Sequence, residues 1–176
     1  MEWNIAVPHN IVGPRQRYDD PFRNVMSIMI NRNLHGKPSI IYGDGEQTRC
    51  FSYVQDCINC LEKMSLDPKI TSQIINIGPE DGTISINELA KVVAECTGMK
   101  DSPIYMPDRP REVKHAHCSA GKAKRLLNFK PVTVVSEAVK ETVSFIKNRG
   151  LLEFDYAYPI EIRTKKTPKT WTDKLI

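Results

Sequence analysis

One stretch concentrates residues able to do chemistry: Tyr42-Gly43-Asp44-Gly45-Glu46-Gln47-Thr48-Arg49-Cys50-Phe51-Ser52-Tyr53-Val54-Gln55-Asp56. The two glycines make a tight turn, and an arginine follows it at a strand. Arginine suits a diphosphate because its planar fork offers paired donors and its charge persists at neutral pH. The competing reading pairs Arg49 with a carboxylate such as Asp56, and spacing alone does not separate the two. A second stretch, Cys57-Ile58-Asn59-Cys60, has the spacing of half a zinc site. No second ligand pair follows at finger spacing, and His115 and His117 flank a single Cys118. Cys50, Cys57, Cys60, Cys96 and Cys118 are therefore read as reduced interior residues, with no metal expected.

The elements that must position these groups follow from hydrophobic pattern and punctuation. Trp3 to Val7 is an apolar run ended by Pro8, a buried strand leaving into a loop. Asp19 and Asp20 before Pro21 predict a helix start, and Phe22, Val25, Met26, Met29 and Ile30 recur at helical spacing up to Gly36. Ser39 to Tyr42 reads as a strand, as does a piece near Cys50 to Phe51, and Asp56 to Met64 reads as a helix. Ile74 to Ile77, stopped by Gly78-Pro79, has the continuous apolar character of a parallel strand covered on both faces. Ser85-Ile86-Asn87-Glu88 is a capping box that predicts a helix to about Thr97, stopped by Gly98. Ile104 to Met106 is a short strand. Helices are expected over Ser119 to Leu127 and Ser136 to Lys147, the second closed by Gly150. The alternation of strands and helices argues for an α/β fold.

The 176 residues, 40% hydrophobic and 26% charged, can bury one core. No repeat or linker separates two cores, so residues 1–158 read as one unit and 159–176 as a tail that packs loosely or across a partner. The 25 basic residues stand against 21 acidic ones, for a net charge of +4. They are spread along the chain, which argues against a nucleic-acid surface and leaves a local anion site open. Apolar runs are too short to span a bilayer and the first residues form no signal-peptide core, so no membrane partner and a cytoplasmic location are expected.

Four ordered segments carry a family resemblance. Pro8-His9-Asn10-Ile11-Val12-Gly13-Pro14, the Tyr42-Gly43-Asp44-Gly45 stretch through Asp56, Asn76-Ile77-Gly78, and Asp108-Arg109-Pro110-Arg111-Glu112-Val113 resemble successive motifs of extended short-chain dehydrogenases/reductases. Ser119 to Leu127 resembles the helix that follows them. The likeness covers residues 3 to about 149 and looks closest to UDP-glucose 4-epimerases and related NAD-dependent epimerases and dehydratases. It implies the C-terminal half of that fold: the last strands of the Rossmann sheet plus a small mixed α/β substrate domain.

Carried over residue by residue, the resemblance implies a UDP-sugar partner. Asn10 would bond near the sugar and diphosphate, and Asn24 and Val25 would present donors at a helix start, where anions are favoured. Ile40, Ile41 and Tyr42 would line the uracil pocket, Arg49 and Arg109 would clamp the diphosphate, and Glu112 would meet the ribose hydroxyls. Each role has a structural rival: Asn10 satisfying loop backbone, Tyr42 in the core, Glu112 pairing with Arg111 at the surface. Pro8 and His9 stand where an aromatic pair is commoner beside the nicotinamide, and Arg111 where glycine is usual, so substrate identity stays open.

Two motifs of the complete family are missing. The glycines at 43 and 45 run Gly-x-Gly-x-x-Thr into a strand rather than opening a helix, so they are no dinucleotide fingerprint. The residues four positions after tyrosines 18, 42, 53, 105, 156 and 158 are Phe22, Glu46, Cys57, Arg109, Ile160 and Ile162, so no Tyr-x-x-x-Lys pair exists. NAD is therefore expected in a complete enzyme but not on this chain alone, and no residue here is assigned a catalytic role. The first strand would then lack sheet neighbours and seek a missing N-terminal half or a second copy. Two function classes remain: the substrate-binding half of an enzyme, or a non-catalytic binding or scaffolding module derived from one.

Overall fold

The computed structural model describes residues 2–157, 159–160 and 163–176. In chain order, β1 (Asn4–Pro8) and β2 (Ile11–Val12) lead to α1 (Val25–Leu34), β3 (Ile40–Tyr42), β4 (Thr48–Cys50), β5 (Ser52–Tyr53) and α2 (Val54–Leu66). Then come β6 (Gln73–Ile77), β7 (Thr83–Ser85), α3 (Ile86–Thr97), β8 (Ile104–Met106), α4 (Gly121–Leu127), α5 (Val135–Arg149) and α6 (Lys169–Thr172). The class is α/β, as the alternation predicts. Strands pair two by two: β1 with β6, β2 with β5 and β3 with β8 in parallel, and β4 with β7 antiparallel.

The helix signals act locally where the side chains are free to cap. At α3 both halves of the capping box form: Ser85 Oγ accepts from Glu88 N–H at 3.1 Å, and Glu88 accepts from Ser85 N–H at 2.9 Å. Gly98 then closes the helix with φ 78°. Helix α1 departs from expectation at its start. Asp20 accepts from Phe22 N–H at 2.9 Å and makes only a turn, whereas Asn24 accepts from Ser27 N–H at 3.2 Å and is the cap. The aspartate turn competes locally with helix and wins over residues 20–23, so the helix begins at Val25.

Buried residues form two clusters rather than the one core expected. The larger joins α1, α3 and α5 through Met26, Ile30, Leu89, Val93, Val139 and Ile146, with Ile41 from β3 and Phe51 from between β4 and β5. The smaller lies under the β1–β6 pair, where Ile75 and Ile77 meet Cys57, Cys60, Ala123 and Leu127. Parallel register sets Ile5 beside Ile74 and Ala6 beside Ile75, so alternation sends Ile75 inward and Ile5 outward. Ile5 and Ile74 are 48% and 53% exposed. An apolar face of this strand pair is thus open to solvent.

Beyond α5 the chain is better fixed than its composition suggests. Tyr158, where the unit boundary was placed, lies outside the described residues, as does Met1. Thr170 is 2% exposed and Trp171 packs edge-on against Phe22 at 5.4 Å, so residues 168–176 dock on their own chain and not loosely. The segment carries no signal in sequence because one docked aromatic ring and a buried threonine need no helical period. Among the described residues, no helix is long and apolar enough to cross a membrane.

Candidate functional site

The nine residues named for substrate binding come from five places in the chain and border one cavity of about 230 Å³. Asn10 follows β1, Asn24 and Val25 form the start of α1, and Ile40, Ile41 and Tyr42 are β3. Arg49 lies on β4, while Arg109 and Glu112 sit in the loop after β8. Arg23, Gln47, Phe51 and Ile86 complete the lining and were not anticipated. Arg23 had a signal, a cation beside the Asn24 cap. Gln47 acts on the turn itself, its amide donating to Tyr42 C=O at 3.0 Å.

Glu112 is the electrostatic centre of the site. Its carboxylate accepts from Arg49 and lies 3.8 Å from Arg109 Nη1. Arg49 also donates to Thr48 C=O at 2.8 Å, which fixes its stem. The carboxylate paired with Arg49 is therefore Glu112, not Asp56. Asp56 is buried and instead accepts from Val132 and Thr133 N–H at 3.3 and 3.5 Å. The Glu112–Arg111 pair weighed from sequence is likewise replaced by Glu112 with Arg49 and Arg109. Arg49 and Arg109 face one carboxylate, Glu112, and the third arginine of the lining, Arg23, is paired with Asp20 at 3.2 Å, so the lining carries a small surplus of positive charge.

The remaining site residues are held by specific bonds. Asn10, in the left-handed region with φ 39°, donates from its amide to Cys50 C=O at 2.9 Å, which is the loop-holding role weighed for it. Asn24 caps α1 and also donates to Ile11 C=O at 3.1 Å, tying the helix start to β2. Tyr42 is half-buried, and its hydroxyl meets Thr170 Oγ1 at 2.7 Å. Ser39 C=O accepts from Ile104 N–H, and Gly43 N–H donates to Met106 C=O. Strand alternation then turns the backbone groups of Ile40 and Tyr42 toward the edge of β3 away from β8.

A larger cavity of about 780 Å³ lies between α3 and the 131–135 segment. Four carboxylates, Glu80, Asp81, Glu88 and Glu95, border it against two lysines, Lys91 and Lys124. That balance repels a diphosphate, so size does not make it the anion site.

Pro8 and His9 stand apart from the cavity, at the carboxyl end of the parallel β1–β6 pair, where His9 N–H donates to Ile77 C=O at 2.9 Å. Carboxyl ends of parallel strands are where α/β sheets bind ligands. A dinucleotide cradle is not formed by the glycines near β3. Gly43 and Gly45 have φ 64° and 75°, and the space above them is filled by Asp108 and Asn87 side chains rather than left for phosphate. They therefore do not fit NAD. Burial pushes the Cys57 and Cys118 thiols up to about 11, so both stay protonated and unreactive near neutrality. Among the described residues, no group of three or more His, Cys, Asp or Glu side chains is arranged to hold a metal ion.

The sequence matches the family model described as GDP-mannose 4,6 dehydratase over residues 1–142. The chain belongs to the extended short-chain dehydrogenase/reductase family of NAD-dependent epimerases and dehydratases. It is 32% identical over 144 residues to a UDP-N-acetyl-alpha-D-glucosaminuronate decarboxylase of Bacillus cytotoxicus, covering 78% of this chain and 44% of that protein. A UDP-glucose 4-epimerase of Thermotoga maritima, solved with UDP-glucose, superposes with a TM-score of 0.76 at 29% identity over 85% of this chain and 47% of its own. A UDP-glucuronic acid 4-epimerase of Bacillus cereus, solved with UDP-glucuronic acid and NAD, gives 0.73 at 28% identity, over 83% and 45%. The chain thus spans less than half the length of these relatives, which are UDP-sugar epimerases and decarboxylases.

Proposed function

We propose that this chain is the C-terminal, substrate-binding half of an NAD-dependent sugar-nucleotide epimerase or dehydratase, and that it holds a UDP-sugar. The supporting observation is the charge and position of the cavity lining, where Arg49 and Arg109 flank the single carboxylate Glu112. The two guanidinium groups clamp the diphosphate, displaced from Glu112 as the ligand enters, and Glu112 turns to the ribose hydroxyls. Val25 at the start of α1 presents N–H groups that favour the same anion. The free edge of β3 offers Ile40 C=O and Tyr42 N–H, an acceptor beside a donor. That pattern suits uracil N3–H and its neighbouring carbonyl, and equally guanine N1–H and O6, so uracil is favoured by the UDP-sugar ligands of similar structures rather than by this edge.

NAD supplies hydride transfer in this family when it is bound, and the glycines here give it no cradle. NAD and the Tyr-x-x-x-Lys pair then belong to the other half of the enzyme, which would pack on the open β1–β6 face and bring the nicotinamide near Pro8 and His9. A second reading is a binding or scaffolding module without chemistry. Both readings require the pocket to bind. Calorimetric titration should give saturable binding of UDP-glucose, tighter than that of GDP-mannose. No heat at millimolar UDP-glucose, a free energy weaker than about 4 kcal/mol, sinks the proposal. Turnover on adding a polypeptide with the glycine fingerprint and Tyr-x-x-x-Lys selects the enzyme half over the scaffold.

A further inference from the structure

Residues 168–176 lie beyond the stretch that the family model matches, yet they pack against two residues of the proposed nucleotide cavity's lining. Thr170 N–H donates to Tyr42 Oη at 3.1 Å, and the two hydroxyls share a second bond. The Trp171 ring centre is 5.0 Å from Arg109 Cζ, and Phe22 braces the indole from its edge. Two more bonds secure the segment: Arg32 Nη1 donates to Leu175 C=O at 2.9 Å and Tyr156 Oη to Ile176 C=O at 3.1 Å. A segment anchored at four sites thus touches two residues of the cavity lining, Tyr42 and Arg109.

Among the described residues, the ion-pair contact of Arg109 is a long one with Glu112, at 3.8 Å, and its side chain is over one-third exposed. A guanidinium on so free a stem loses rotamer entropy when a ligand orders it. An aromatic face attracts the cation and orders it beforehand. We infer that Trp171 is a positioning residue for this site: its ring holds the Arg109 guanidinium in place, so the 168–176 segment raises affinity for a diphosphate it does not itself touch. This rests on the nucleotide-sugar reading of the cavity.

The test uses the full chain and two replacements that both keep apolar bulk, Trp171→Leu and Trp171→Phe, titrated with UDP and with uridine. Trp171→Leu removes the aromatic face and should weaken UDP roughly fivefold, while Trp171→Phe keeps a face and should stay within about twofold of the unaltered chain. Uridine, which has no diphosphate, should bind both alike. Equal UDP affinity for the two variants, or an equal loss for UDP and uridine, overturns the positioning role and leaves the nucleotide reading standing. Failure of the unaltered chain to bind UDP overturns the nucleotide reading and this inference together.

Discussion

Around Ile30, Leu89 and Val139 the helices α1, α3 and α5 enclose their apolar residues from every side, and all three residues are fully buried. Under β1 and β6 the chain covers one sheet face only and leaves Ile5, Val7 and Ile74 in water. The first region is complete as a folding unit and carries the cavity at its rim. The second is a two-stranded parallel ribbon, which ordinary parallel sheets cover on both faces. The same sequence pattern, a continuous apolar strand, therefore means different things in the two places: interior packing at Ile41, and an offered surface at Ile5.

The largest expected effect tests that contrast directly. Ile30→Ala in the enclosed cluster should cost about 2–5 kcal/mol, through lost contacts and the cavity left behind. Ile5→Ser on the open face should change stability by less than about 0.5 kcal/mol. Urea unfolding followed by tryptophan fluorescence measures both. Ile5→Ser should also lower binding of an apolar dye and reduce self-association in sedimentation. A large loss of stability from Ile5→Ser would mean that the open face is covered in solution.

Next in size is the site itself. Arg49→Ala removes charge-assisted bonds to the diphosphate and should weaken UDP by about 2–3 kcal/mol, roughly 30- to 150-fold. Calorimetry reads this, and melting should move far less, because Arg49 lies at the rim and outside either buried cluster. Equal UDP affinity would detach the anion reading from the cavity and leave Arg49 as a partner of Glu112 alone.

The smaller third effect tests how α3 is fixed beside the cavity. Ser85→Ala breaks the capping box and should cost about 1 kcal/mol. It carries a pH signature as well. Bonds from Ser85 hold the Glu88 carboxyl below its ordinary value. A lowered folded pKa gives stability that is present above the unfolded pKa and lost as pH falls through the folded one. Ser85→Ala removes the hydroxyl bond but keeps the backbone N–H, the larger cause, so it should flatten the acid limb of the stability profile only in part. Glu88→Gln should flatten it further. Urea unfolding between about pH 2 and 6 measures both, and an unchanged limb in Glu88→Gln would assign the acid dependence elsewhere.

What was legible in the sequence follows the range of the forces involved. The capping box, Gly98 and the apolar run Ile74 to Ile77 are set by neighbours in sequence, and α3 and β6 lie where those signals put them, β6 starting one residue earlier at Gln73. The nine cavity residues were legible only through family motifs, because residues 10, 24, 40–42, 49, 109 and 112 meet by tertiary folding. Two features had no local signal. Glu112 rather than Asp56 pairs with Arg49 because Asp56 is consumed by backbone donors 76 residues away, at Val132. Trp171 meets Arg109 across 62 positions, within a segment whose composition alone suggested a loose tail.

The smallest expected effect concerns a single backbone angle at the site's edge. Arg111 stands where the family pattern carries glycine, and its φ of 61° is in the left-handed region that glycine adopts at least cost. For a residue with a Cβ that conformation costs on the order of 1 kcal/mol. Arg111→Gly removes the cost and loosens the unfolded chain, which offsets part of the gain, so a net stabilisation of about 0.5 kcal/mol is expected. Arg111 borders a second cavity with Tyr42, Arg109 and Lys114, next to the proposed nucleotide site, but its side chain is exposed. An exposed cation with so little desolvation contributes weakly to a ligand's affinity, so UDP binding by Arg111→Gly should stay within about twofold. If affinity instead falls more than tenfold while stability rises, Arg111 belongs to the binding region, and the strained angle is kept for the ligand rather than tolerated by the fold.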